Sequence, residues 1–136
     1  MDQELYSEMV LDLYKHPSNF GELENADIRA EGGNPVCGDE VVLTMLVKDG
    51  KIADIKFKGE GCAISRASES LLTELVKGKR LKEVKEMKAQ ELFDVLGNIV
   101  ETRIKCALLG LNVLKKGVES FERNRGQKTI ITGINI

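Results

Sequence analysis

The chain has 136 residues, 42% of them hydrophobic, which is enough for one domain with a substantial core. Its 20 Lys and Arg are interspersed among 22 Asp and Glu, for a formal net charge of -2, which excludes a phosphate-tracking surface and with it a nucleic-acid partner. No apolar run reaches membrane-span length, and Met1-Asp2-Gln3-Glu4-Leu5 has neither the basic nor the apolar part of a leader, so a single soluble, cytoplasmic domain over residues 1–136 is expected, with no membrane partner.

In chain order, Leu5, Met9, Leu11, Leu13 and Tyr14 give residues 4–15 a helical pattern. It stops at His16-Pro17-Ser18-Asn19, because a residue before proline is pushed out of the helical region. His16 is the only histidine and reads as a helix-end cap, not a ligand. Residues 26–30 form a short edge strand ahead of Gly32-Gly33. Next comes Asn34-Pro35-Val36-Cys37-Gly38-Asp39: if it is extended, Cys37 and Asp39 point to one face, with no side chain on Gly38 between them.

Residues 40–48 and 51–58 are β-rich and joined by Asp49-Gly50, a strong hairpin signal. A two-residue loop sets Lys48 across from Lys51 and puts Val42, Thr44 and Leu46 on one apolar face with Ala53, Ile55 and Phe57. Counted onward, the same ladder brings Cys37 opposite Cys62. Ile64, Ala67, Leu71, Leu72, Leu75 and Val76 predict a helix opening just after Cys62, with Ser65 as N-cap and Gly78 as stop. One or two short helices fill residues 82–96 and end at Gly97. Ile104, Ala107, Leu108, Leu111, Leu114, Val118 and Phe121 then make a long amphipathic helix with Cys106 in its first turn. The tail, residues 127–136, is either an edge strand or a contact surface.

Three cysteines is an odd number in a chain without a secretion signal, which predicts ligating or free thiols rather than a disulfide framework. Cys62 and Cys106 stand at helix starts, where the dipole favours a thiolate, and Arg103 and Lys105 flank Cys106. Cys37, Asp39, Cys62 and Cys106 make a tetrahedral donor set that suits a 2Fe-2S cluster or a closed zinc site, and their spacing does not choose between the two. The plain alternative is three buried small side chains and a turn aspartate; a thiol at every Gly-rich bend or helix start argues against it. A cysteine-nucleophile enzyme needs a paired histidine, and His16 is poorly placed to serve.

Asn-Pro-Val-Cys-Gly-Asp at 34–39, Gly-Glu-Gly-Cys-Ala-Ile-Ser at 59–65, Arg-Ile-Lys-Cys-Ala at 103–107 and Tyr-Lys-His-Pro-Ser-Asn at 14–19 together resemble the iron-sulfur cluster assembly scaffolds of the IscU, SufU and N-terminal NifU type, over residues 5–122. The resemblance implies an α+β fold, a three-stranded antiparallel sheet packed by helices with a long C-terminal helix. It implies Cys37, Cys62 and Cys106 as cluster ligands and Asp39 as the fourth ligand or the group that keeps the cluster releasable. It also implies that a cysteine desulfurase supplies sulfur, that apo iron-sulfur proteins receive a labile 2Fe-2S cluster, and that the chain is a carrier, not an enzyme. Self-association into a homodimer would fall to residues 130–136.

Two departures qualify the resemblance. The IscU branch has histidine before its last cysteine and a Leu-Pro-Pro-Val-Lys chaperone motif, where this chain has Lys105 and Ile99-Val100-Glu101-Thr102-Arg103. The cysteine motifs are closer to the SufU branch, whose members often hold zinc and act as sulfurtransferases, with Cys106 as sulfur acceptor here. The insertion usual in that branch between the last two cysteines is absent.

Overall fold

The computed structural model describes residues 7–36, 38–97 and 99–135. Helix α1 (Glu8–Lys15) is capped by Ser7, whose hydroxyl accepts the Val10 N–H at 3.2 Å, and it buries Val10 and Leu13. The part of the predicted helix at residues 4–6 lies outside the described residues. His16 is its C-cap residue, with its N–H on the Asp12 carbonyl at 2.8 Å. The turn that follows is tied to the middle of α2 (Ala63–Val76): Ser18 N–H donates to Ser70 Oγ at 2.7 Å, Asn19 Nδ2 to Thr73 Oγ1 at 3.1 Å, and the Ser18 hydroxyl to Glu74.

Strands β1 (Ile28–Asn34), β2 (Asp39–Lys48), β3 (Lys51–Glu60) and β4 (Thr129–Asn135) form one sheet in the order β3-β2-β1-β4. The first three are mutually antiparallel, and β4 runs parallel to β1. The expected three-stranded antiparallel sheet is therefore a four-stranded mixed one. Without the tail, the outer edge of β1 would leave its N–H and C=O groups unpaired; residues 129–135 supply their partners, beginning with Thr129 N–H on the Asp27 carbonyl at 2.9 Å. The two strands slip register between Ala30 and Gly32, where Gly133 has φ +72°. Gly32 has room for no side chain: a Cβ there would lie 2.5 Å from Val113 and 2.6 Å from the Ile134 carbonyl. Ile134 is thereby buried while Ile130 stays 74% exposed. Ile134→Ala should lower stability by about 2 kcal/mol in urea denaturation. An unchanged midpoint would mean that β4 is not docked in solution.

Asp49 (φ 54°) and Gly50 (φ 73°) make the tight turn the sequence predicts, and Lys48 pairs with Lys51. The ladder then slips: Val47 pairs with Ile52 but Leu46 with Asp54, so Ala53 is an extra residue. A slip of one exchanges faces, and the core face is Val41, Leu43 and Met45 with Ile55 and Phe57. Val42, Thr44 and Leu46 are on the other side, where Thr44 Oγ1 accepts the Leu23 N–H at 2.9 Å from the overlying loop. The ladder reaches Glu40 opposite Glu60, one step off the count that set Cys37 across from Cys62.

Helix α2 and α5 (Ile104–Arg123) cover the core face of the sheet, burying Ile64, Ala67, Leu71 and Leu72 from one and Ala107, Leu111, Leu114 and Val118 from the other. A Cβ on Gly117 would stand 3.0 Å from that of Ala30, so α5 lies close on β1. Short helices α3 (Leu81–Glu86) and α4 (Ala89–Leu96) and a 3-10 turn (Glu101–Arg103) connect the two. Helix α2 stops at Val76 before Gly78 (φ +89°), and α4 before Gly97 (φ +86°), as their sequences predict. Among the described residues, no helix is long and apolar enough to cross a membrane.

Candidate metal centre

The described residues between Asn34 and Asp39 make a turn, not an extended segment. The Asn34 carboxamide accepts the Val36 N–H at 3.1 Å, the Asn34 carbonyl accepts the Gly38 N–H at 2.9 Å, and Gly38 has φ +76°. These bonds close the connection between β1 and β2, so Asp39 is reached through a turn. Cys37 itself lies outside the described residues. Asp39 opens β2 opposite Asn34, and both are 3% exposed.

The Asp39 carboxylate reaches the next element. Its Oδ1 accepts the Cys62 N–H at 3.1 Å. Gly61 permits that approach, since a Cβ there would fall 2.7 Å from Asp39 Oδ1 and 2.2 Å from Ser65 Oγ. Cys62, not Ser65, is the N-cap residue of α2, and its side chain makes no capping bond. The Ser65 hydroxyl instead donates back to the Cys62 carbonyl at 3.0 Å. The Cys62 thiol is left half-buried at the positive end of a helix dipole.

Cys106 comes from the first turn of α5 and is 2% exposed. Helix α2 holds α5 at this level through the Ser68 hydroxyl, which donates to the Ala107 carbonyl. Lys105 is exposed and Arg103 half-buried. Strand β2, the start of α2 and the start of α5 thus converge, and an Asp39 oxygen, Cys62 Sγ and Cys106 Sγ all lie within 4.8 Å of one another. Two thiolates and a carboxylate so close are suited to a single tetrahedral ion, whose sulfur ligands stand about 3.8 Å apart when each metal–sulfur bond is about 2.3 Å. Softness of the donors favours zinc or iron over magnesium or calcium.

One buried acid on which the charges of this centre act is not legible as such in the sequence. Glu69, two turns beyond Cys62 on α2, is 2% exposed, and its Oε2 has no hydrogen-bond partner among the described residues. Burial pushes its carboxyl well above the usual carboxylate range, and the charges of Asp39 and Cys62 push the same way, against Arg66. Its signal was an acid seven residues after a candidate ligand, on the same face of a helix whose neighbours are apolar.

A family model described as the NifU-like N-terminal domain matches residues 5–128. An Archaeoglobus fulgidus protein named iron-sulfur cluster assembly scaffold protein IscU is 35% identical over 123 residues, covering 90% of this chain and 80% of its own. The Bacillus subtilis zinc-dependent sulfurtransferase SufU is 38% identical, covering 87% of this chain and 92% of its own. A Fervidobacterium islandicum crystal structure, titled as an iron-sulfur cluster assembly scaffold for the SUF system, superposes with a TM-score of 0.74 at 34% identity, covering 87% of this chain and 99% of that one.

Proposed function

This chain belongs to the NifU-like N-terminal domain family, and on that premise we propose that it is a scaffold on which a labile 2Fe-2S cluster is assembled and then passed to apo-proteins. The observation that carries the reading is the convergence of Asp39, Cys62 and Cys106 donor atoms within 4.8 Å of one another. Cys37, two residues before Asp39 in the sequence and outside the described residues, is the remaining thiol of the set. Iron and desulfurase-derived sulfur are the materials, apo iron-sulfur proteins the recipients, and the chain's part is that of a carrier within one domain.

The residues present fit that cargo. Cys62 Sγ and Cys106 Sγ are soft donors, Gly61 keeps bulk away from Asp39, and the Asp39 carboxylate adds one harder oxygen. A set of four thiolates would hold iron more firmly, so the carboxylate is what makes release possible. Asp39→Ala should therefore lengthen the lifetime of a reconstituted cluster and slow its transfer, followed by visible absorbance. Faster loss of the cluster would count against this role for Asp39.

A second reading has a specific observation in its favour. The three described donors are close enough together for one ion, as in a zinc protein whose Cys106 receives sulfur from a desulfurase. Iron, zinc and acid-labile sulfide, measured on protein kept free of oxygen, separate the two. Iron with matching sulfide, lost when Cys62 or Cys106 is replaced, supports the scaffold. Zinc without sulfide, even after reconstitution with iron and a sulfur source, moves the assignment to the sulfurtransferase.

A further inference from the structure

Glu69 is a costly residue to keep where it is. It lies between α2 and α5: a Cβ on Gly110, one turn after Cys106, would be 3.0 Å from Glu69 Cγ, so the glycine leaves space that the glutamate fills. Along α2 it follows Cys62 by seven residues, on the same face and deeper in the protein. Its carboxyl is near enough to Asp39 and Cys62 for their charges to act on it, and its Cγ lies toward Gly110 on α5. An interior carboxyl in a domain of this size is ordinarily paired or hydrogen-bonded.

Neither applies fully here. Among the described residues Oε2 accepts no hydrogen bond, and no ion pair to Glu69 forms. The nearest cation by sequence, Arg66, attracts the carboxyl without forming an ion pair with it. Its guanidinium lies 5.6 Å from the Tyr14 ring centre and 5.1 Å from that of Phe20. The other charges bearing on Glu69 are Asp39 on β2 and Cys62 on α2, both negative when ionised. Asp39 and Cys62 repel the carboxyl and Arg66 offsets them only in part, so the described residues alone do not account for an acid at this position. A bound divalent cation would.

Resting on the reading of Asp39, Cys62 and Cys106 as metal donors, we propose that Glu69 is a further member of that centre, an inner carboxylate that raises its affinity for a bare divalent cation. It stands outside the group of three whose donor atoms lie within 4.8 Å, and it serves the ion from the interior side, as an oxygen donor or as a counter-charge. The scaffold would then hold a dication before any sulfide arrives.

The test uses the whole chain and Co2+, whose thiolate absorption reports binding directly, with Zn2+ by competition. Glu69→Gln keeps shape and removes the charge. It should weaken Co2+ binding about tenfold or more and shift the Co2+ spectrum. The metal-free variant should also melt at a higher temperature than the metal-free wild type, because an uncompensated buried acid has been removed. Opposite signs in those two measurements separate a metal-serving residue from a structural one.

Equal Kd values and spectra for wild type and Glu69→Gln would overturn the proposal and leave the metal centre standing. Wild-type protein that takes up no Co2+ would sink the metal reading as well. A Glu69→Gln protein that melts lower than wild type, or fails to fold, would also overturn it, since the fold would then need the carboxyl for itself. Glu69→Asp, which withdraws the carboxyl by one methylene, should weaken Co2+ binding too; full wild-type affinity in that variant would count against an inner carboxylate acting at short range.

Discussion

Cys106→Ser should leave a folded protein that retains neither cluster nor metal ion. The thiol is 2% exposed in the first turn of α5, and Asp39 and Cys62 approach it from two other elements. A serine hydroxyl in its place is a hard, protonated oxygen, a poor ligand for the metals that thiolates select. Losing a directly coordinating group should exceed the roughly 10–100-fold loss that follows removal of a group supporting a ligand. The fold should survive, because burying one hydroxyl costs about 1–3 kcal/mol. Metal and sulfide per chain, measured after gel filtration, check it; a variant that keeps a full complement would remove Cys106 from the ligand set.

Gly59→Ala should be the most damaging single-methyl change in the sheet. Gly59 sits on β3 opposite Val41 with φ +151°, and a Cβ there would fall 2.1 Å from the Glu40 carbonyl oxygen and 2.9 Å from Val41 Cα. Both obstacles are backbone, so no side chain can swing aside. Overpacking and backbone strain, each about 1–3 kcal/mol, should together lower the thermal midpoint by about 10 °C. Gly78→Ala is the control: its φ is +89° but nothing lies within 4 Å, so only strain remains. If both substitutions cost the same, β3 yields at Gly59 and the close approach to β2 is not a constraint. Because Glu40 adjoins Asp39 and Gly59 is near Cys62, metal affinity should fall with stability in Gly59→Ala and hold in Gly78→Ala.

What could be read from the chain beforehand divides along physical lines. The helices were visible because their apolar residues recur at helical spacing and their ends carry local signals, Gly78 and Gly97 among them. The hairpin was visible for the same reason: Asp49-Gly50 is a local device. The bulge at Ala53 has no such mark, since neither glycine nor proline announces it, and it reverses which face of β2 is apolar. Whether the stretch between Asn34 and Asp39 is extended was open in the sequence, because its closure depends on the Asn34 carboxamide accepting the Val36 N–H, a bond that alternation rules do not see. The fourth strand was left open because its partner, β1, is about a hundred residues away. At the candidate metal centre, Asp39, Cys62 and Cys106 stand out through residue type and position, whereas the buried Glu69 is concealed inside the stripe of a helix, where a charged residue passes for one on the solvent side.

The parallel pairing of β4 with β1 bears on the order in which the sheet closes during synthesis. Strand β1 emerges early and its outer edge must wait until residues 129–135 follow. The donors are also spread out, at 39, 62 and 106, so no partial chain that ends before α5 brings all three together. A nascent chain that has not yet exposed α5 therefore carries an incomplete donor set beside an open strand edge; α5 completes the first and residues 129–135 the second. The donor set therefore gathers before the sheet closes, and the open edge of β1 outlasts the assembly of the candidate centre.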